Sequence, residues 1–485
     1  MSSQESGGVH YDHVGQDYLD QRRLEKKAGW VLLWGLGVGA VISGDYFGWN
    51  FGLAAGGFWG LAIATVLMAV MYLTMMYSLA ELSTALPHAG GPYSFARQAF
   101  GPWGGYLCGL AVTIEYVLTP AVIVVGLGGY LHTLIPQLPL YLWWAISYLI
   151  FVLINIRGVE LTMKFSLVVT LIATAILILF YISAMTSGAF KWSNLFNVPP
   201  EPGQSAAWLP KGFYGIFSAL PFAIWFYLAI EELPLAAEET QDVARDMPKA
   251  MLLGILALLI LSGFTLVLNA GVGGGAMAIS QSDAPLAEGF QAVFGLGATS
   301  VVLTIVALTG LIASFHSIIY AYGRQIYALS RAGYFPRVWS LTHAKYKTPH
   351  IALWGGAVFG FSCAILIDQF SETVGAALLN MAVLGGVLSY VLMMLSYMKI
   401  KGLKIKRTYV SPGGKLFAGV AAVLAVVALL ACFSLEEYRL GVWGVAVWYL
   451  LGILYFALIS RHKLVAEAPE EEFALVKKAQ SELAH

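Results

Sequence analysis

Charge is what this chain has least of. Only 11% of its 485 residues are Asp, Glu, Lys or Arg, against roughly a quarter in an ordinary soluble domain. With 59% hydrophobic residues, that scarcity excludes a soluble globule and points to an integral-membrane protein. The 27 basic residues are balanced by 27 acidic ones, so no net positive field is available to hold nucleic acid. Cysteine is scarce as well. Cys108, Cys363 and Cys432 all lie in apolar runs, which excludes a disulfide framework and a cysteine metal motif. No stretch reads as a phosphate-binding G-x-x-x-x-G-K-[ST] loop, an H-E-x-x-H zinc pair or a G-x-S-x-G elbow. The polar loops are too short to hold a catalytic domain. An enzyme is therefore not expected, and neither a metal nor a cofactor is called for. The polar segment before Lys27 lacks the apolar core and small-residue cleavage site of a signal peptide.

What the chain does have is repeated apolar runs, each long enough to cross a hydrocarbon core of about 30 Å. Hydropathy and the Gly, Pro and charge clusters between runs give about twelve spans. They begin near Trp30, Trp59, Trp103, Leu140, Leu161, Gly212, Ala250, Ala298, Ile351, Thr373, Leu416 and Leu440. Backbone polar groups in lipid must be satisfied within the span, and these runs are too long for barrel strands, so the spans are helices. Lysine and arginine fix the orientation. With the N-terminus in the cytoplasm, Arg22 to Lys27, Arg97, Arg157, Lys164, Arg245, Lys249, Arg324 to Lys347, the cluster Lys399 to Lys415 and the tail all fall on one side. Only Lys191, Lys211 and Arg439 fall on the other. An even number of spans with both ends inside fits that bias.

Two spans are interrupted. The first carries Ser43-Gly44-Asp45 at its centre, where an acid costs a few kcal/mol and normally faces a cavity or a partner. The sixth, "GFYGIFSALPFAIWFYLAIEELPLAAEET", holds Pro221, an aromatic cluster, and then Glu231 and Glu232. Broken helices five spans apart are what an inverted-repeat carrier places around a site at the membrane midplane, with helix dipoles aimed into it.

Four ordered motifs give the chain a resemblance: "AELSTALPHAGGPYSFARQAFGPWGGYLCG" (80–109), "NIRGVELTMKF" (155–165), "AAEETQDVARDMPKAM" (236–251) and "GRQIYALSRAGYFPRVWSLTHAKYKTPHIAL" (323–353). Over Ala28 to Lys463 the sequence resembles the amino acid, polyamine and organocation (APC) transporter superfamily. Through "SGDYFGWNFGL" and "LAIEELPLAAEET" it most resembles bacterial ethanolamine permeases. The resemblance implies an all-α membrane protein of about twelve helices. Two inverted repeats of five (a LeuT-like fold) have helices 1 and 6 broken, and two helices lie outside the repeat. It divides the chain into a cytoplasmic segment 1–28, one transmembrane domain 29–463, and a cytoplasmic tail 464–485.

Relatives that carry amino acids place a Gly-x-Gly break where this chain has Ser43-Gly44-Asp45, and bind the substrate carboxylate on its free amides. A carboxylate there repels a carboxylate and favours an ammonium group. Asp45 is thus expected to recognise a cation, with a helix-break cap as its alternative role. The resemblance implies an aromatic gate at Trp225, with Tyr46, Phe222 and Tyr227 able to share a cation cage; interfacial anchoring is the alternative for each. It places Glu231 at a gating or protonation position. Glu115 and Tyr116 on the third span are further substrate-site candidates, one of them expected to face away because neighbours on a helix point differently. Lys164 is expected to set its ammonium where other relatives bind sodium, near Ser314 and His316 on the eighth span; a snorkelling lysine and a structural histidine are the alternatives. Glu238, Glu239, Asp242 and Asp246, with Arg245 and Lys249, are expected to form an ion-pair clamp. The tail is expected to be solvated.

The expected function is import of ethanolamine or a closely related small amine across the bacterial cytoplasmic membrane by proton-linked alternating access. An amino acid or polyamine permease or exchanger is the alternative, and an amine receptor a more distant one.

Overall fold

A computed structural model describes every residue except 1–3, 7, 206, 283, 371–373, 404, 435–438 and 483–485. Among the described residues, ten helices are long and apolar enough to cross a membrane, and two shorter apolar helices join them. In chain order the twelve are α1 (Trp30–Val41), α2 (Phe51–Ala85), α3 (Pro92–Leu134), α4 (Leu140–Ile156), α5 (Val159–Thr186) and α6 (Gly212–Trp225). They continue as α7 (Val243–Ala270), α8 (Ala298–Arg331), α9 (His350–Phe370), α10 (Val374–Ile400), α11 (Gly414–Ala431) and α12 (Arg439–Leu458). The expected starts fall within a few residues of these. The exceptions have physical causes. Ala250 lies well inside α7, because the polar turn "VARDMPK" is already helical, with Asp242 accepting the Arg245 N–H at its N-terminus. Trp59 lies inside α2 and Trp103 inside α3, where Gly57 at φ +68° and Gly101 at φ +77° let the chain kink instead of stopping. The expected start at Thr373 lies outside the described residues.

Both interruptions are present, with corrected limits. α1 ends at Val41, passes through a 3-10 turn (Ile42–Asp45) and resumes as helix only at Phe51. α6 runs straight through Pro221 to Trp225 and breaks over Phe226 to Ala229. Proline need not end the helix, because neighbouring helices compensate for the lost hydrogen bond. Ala229 takes φ +82°, a strained value for a residue with a side chain. A second 3-10 segment (Ile230–Glu239) follows.

The two ends of the chain meet on one face. Strands β1 (Gln4–Ser6) and β2 (Val9–Asp12) form a hairpin, and β2 pairs in parallel with β3 (Leu464–Val465). Helix α13 (Pro469–Glu482) follows, and its first turn is not the solvated tail expected. Glu471 is fully buried against Arg97, with Tyr334 and Tyr11 donating to its carboxylate. Glu470 meets Arg331 at 2.6 Å, and Arg331 also holds Glu238. The clamp after the sixth helix is real, but its partners differ from those expected: Glu238 pairs with Arg331 and Glu239 with Arg324. Lys249 instead sits over the Trp30 ring. These pairs join α3, α8 and the second 3-10 segment to the C-terminal helix, which Tyr11 ties to the N-terminal hairpin, and breaking a buried pair by removing one partner costs about 3–5 kcal/mol.

Burial, only partly offset by Arg331 and reinforced by the Glu238 carboxylate, pushes the Glu470 carboxyl up to about 6 from its ordinary 4.5. A raised carboxyl favours the docked tail in its protonated form. That contribution is complete below pH about 4.5 and is lost as the pH rises through about 6. Protease cleavage within α13 should therefore speed up roughly tenfold between pH 5 and 7.5, relative to a free tail peptide. In Glu470→Gln the rate should no longer depend on pH.

Candidate functional site

The two breaks touch backbone to backbone. A Cβ on Gly44 would lie 2.2 Å from the Trp225 carbonyl oxygen, and one on Gly48, at φ +96°, would lie 2.6 Å from the Trp225 ring. Glycine is required at both places, because any side chain would push the broken helices apart. Trp225 thus packs over the first break, and Trp49 stacks on Phe226 behind it with ring centroids 5.5 Å apart.

Asp45 is fully buried at the end of the first 3-10 turn. Among the described residues it caps no backbone amide. The Thr265 hydroxyl of α7 donates to its Oδ1 at 2.8 Å, and the Tyr181 hydroxyl of α5 lies 2.6 Å from that of Thr265. Oδ2 has no partner, and no salt bridge reaches Asp45 among the described residues. Capping within this break falls to Asn50, whose Oδ1 accepts from the Gly48 N–H while its amide donates to the Ile279 and Ser282 carbonyls. Ser43 donates its N–H to the Ser314 hydroxyl, which donates to the Gly39 carbonyl. The Tyr46 hydroxyl is spent on the Ala173 carbonyl, so that ring offers the site its face and not its oxygen.

A second acidic cluster lies toward α3 and α10. Glu231 Oε1 accepts from the Ala229 N–H at 3.2 Å, from Tyr390 at 3.1 Å and from Tyr116 at 3.5 Å. Tyr390 lies 2.9 Å from Glu115 Oε1 and accepts from Tyr72. Glu115 and Glu231 thus share the one Tyr390 hydroxyl. A single phenol hydrogen cannot satisfy both carboxylates at once. The pair therefore has a place for one proton. Glu115 and Tyr116 both belong to this cluster, contrary to the expectation that one faces away. The two directions differ by about 100° on a helix, and long side chains span that angle to bracket Glu231 and Tyr390. Tyr227 is buried nearby, with its hydroxyl on Ser262 and its ring beside Tyr72, while Phe222 is buried against Phe51 and Gly52 at the start of α2.

The structure does not bring Lys164 or His316 to either cluster. Lys164 is 62% exposed and pairs with Glu160 one helical turn away. Two residues on, Ser166 faces inward instead, sharing the Gly35 carbonyl with Thr170 and a 2.7 Å contact with Ser317. A shift of two residues is more than half a helical turn, enough to exchange lipid for core. His316, two residues beyond Ser314, turns away in the same manner. Its Nε2 lies against the Thr162 carbonyl and its Nδ1 against Asn155, so both nitrogens are satisfied in the neutral ring.

Sequence reasoning missed Thr265, Tyr181, Tyr72 and Tyr390. None of them carries a local sign, because each meets its partner across a long stretch of chain.

Comparison with known proteins agrees with this architecture. The family model for amino acid permeases matches residues 31–473. An uncharacterized transporter of Rhizobium meliloti is 28% identical, over 92% of this chain and 94% of its own length. A branched-chain amino acid permease of Bacillus subtilis is 25% identical over 91% and 94%, and a methylthioribose transporter of the same organism 24% over 89% and 92%. The family model bears out the superfamily resemblance; none of the three relatives is named for ethanolamine.

The contact between the breaks gives a direct test. Gly44→Ala should lower the thermal stability of the purified protein by about 1–3 kcal/mol, as overpacking does, and abolish transport. Gly263→Ala, in α7 with nothing within 4 Å of the added methyl, should leave both unchanged or slightly improved. Equal tolerance of the two would mean that the breaks do not need their close approach.

Proposed function

The chain belongs to the amino acid permease family, and on that premise we propose that it imports ethanolamine or a close small amine, coupled to protons, by alternating access. The observation that carries this reading is the free Oδ2 of Asp45. A buried carboxylate with no cation beside it is poorly solvated, and an ammonium group is the ligand that would repay its burial. Ethanolamine brings an ammonium and a hydroxyl and no carboxylate. Trp225 and Tyr46 would give the cation aromatic faces, each worth about 0.5–2 kcal/mol, and Ser43, Gly44 and Phe222 would complete the walls. Thr265, held by Tyr181, would fix the carboxylate's rotamer.

Glu115, Glu231 and Tyr390 would supply the proton site, separate from the amine site and linked to it through the broken sixth helix. Transport would open the breaks alternately to the two faces, with both termini in the cytoplasm. No bond of the substrate changes.

A second reading has its own support. The Bacillus subtilis branched-chain permease and an Escherichia coli D-serine/D-alanine/glycine transporter, 23% identical over 73% of this chain, are named for amino acids. An amino acid would need a protonated Asp45 or a cation elsewhere to balance its carboxylate.

At an effective dielectric of about 20, an ion pair at 4 Å is worth about 4 kcal/mol. Asp45→Asn should therefore reduce ethanolamine uptake into proteoliposomes at least thirtyfold, while unlabelled alanine should not compete with ethanolamine in the wild type. Strong competition by alanine, or normal ethanolamine uptake in Asp45→Asn, would favour the amino acid reading.

A further inference from the structure

Glu232 belongs to neither cluster. It follows Glu231 in the second 3-10 segment, is fully buried, and neither carboxylate oxygen has a hydrogen-bond partner. The segment packs against α1, α2, α7 and α8. The charged groups that act on Glu232 are Glu231 behind it and Arg324 of α8. Glu232 in turn lies within reach of the fields of Tyr116 on α3 and Tyr320 on α8. α1 contributes no titratable residue at all, and none of α2 or α7 acts on it.

Arg324 has a matching deficit. Its Nε and Nη2 hold Glu239 at 3.1 and 2.9 Å, but its Nη1 is buried with no partner. A carboxylate and a guanidinium nitrogen, both without partners, thus stand in each other's field. An ionised Glu232 leaves two acceptors unsatisfied, and a neutral one leaves a buried O–H donor, at about 1–3 kcal/mol for each orphaned group. Alanine or leucine would avoid that cost, so an acid held here is one whose state changes during work.

We propose that Glu232 is a proton station between the Glu115–Glu231 pair and the face that carries the termini. The proposal rests on the proton-linked reading above. In the transfer the O–H bond of the Glu231 carboxyl breaks as an O–H bond forms on Glu232. Tyr116, whose hydroxyl donates to Glu231, would relay the proton on turning toward Glu232, taking a hydrogen from Glu231 as it gives up its own. Glu231 is left a carboxylate, held by Tyr390, Tyr116 and the Ala229 N–H; Glu232 becomes neutral and has no hold on Arg324. When the terminal face opens, Glu232 releases the proton to water, and its carboxylate is drawn to the free Nη1 of Arg324. One proton enters and one leaves, with no oxidation or reduction.

The test separates proton movement from substrate movement. Proteoliposomes containing the full chain are assayed with ethanolamine and, separately, alanine. One arm follows accumulation and proton influx under an imposed pH gradient; the other follows exchange against preloaded substrate, which needs no net proton. Glu232→Gln should keep exchange within about twofold and lose accumulation and proton influx about tenfold or more. Glu232→Asp, which keeps the acid, should restore the proton-to-substrate ratio at a lower rate, and it also serves if the glutamine variant does not fold. Unchanged accumulation in Glu232→Gln would overturn the station alone. Equal loss of exchange and accumulation in folded Glu232→Gln would also overturn it, in favour of a structural or substrate-binding acid. A wild type that moves substrate without protons would refute the proton-linked reading and the station with it, and is recognised before any variant is made.

Discussion

The Trp225 carbonyl pressed against Gly44 is the contact on which the rest of the site depends. Hydrocarbon tolerates irregular backbone only where protein or a polar cavity covers it. Each break here is covered by the other. Because the two meet at backbone distance, the side chains that leave them are thrown outward to different helices: Asp45 toward α5 and α7, Glu231 toward α3 and α10. One crossing thereby creates two separated acidic clusters, which a carrier of a cation and a proton needs if the two are not to compete for one carboxylate.

The interior acids differ in how they are satisfied, and that difference divides structure from work. Glu239, Glu238, Glu470 and Glu471 are each paired with an arginine and tie the ends of the chain to the helices near one face. Among the described residues Asp45 and Glu232 have no ion pair and retain free oxygens, while Glu115 and Glu231 share the Tyr390 hydroxyl. Paired acids hold a geometry in place. Unpaired ones stay costly until a mobile charge arrives, so the cost of burying them is recovered only during a transport cycle.

Much of the scaffold was legible in the sequence because hydropathy is a local property: twelve apolar runs, and interruptions within the first and the sixth, need only their own neighbours to be seen. The partners were not legible, because they come from far along the chain. Thr265 is 220 residues from Asp45, and Tyr390 is 159 from Glu231. Helix phase was the other obstacle. Lys164 and Ser166 differ by two positions, and the apolar pattern of α5 is nearly uniform around its circumference, so the sequence did not decide which of them faced α1. The tail misled for a related reason: "EAPEEEF" is polar in composition, yet Glu470 and Glu471 are buried because Arg97 and Arg331 wait for them at the ends of α3 and α8.

The central claim is that a carboxylate in the first break selects a positive charge. It is tested most directly by equilibrium binding to the purified protein of ethanolamine and of N-acetylethanolamine, which keeps the hydroxyl and the carbon chain but loses the ammonium. The account predicts saturable binding of ethanolamine and at least about thirtyfold weaker binding of the neutral amide. Comparable binding of the two would contradict it, and would reduce Asp45 to a buried acid held by Thr265.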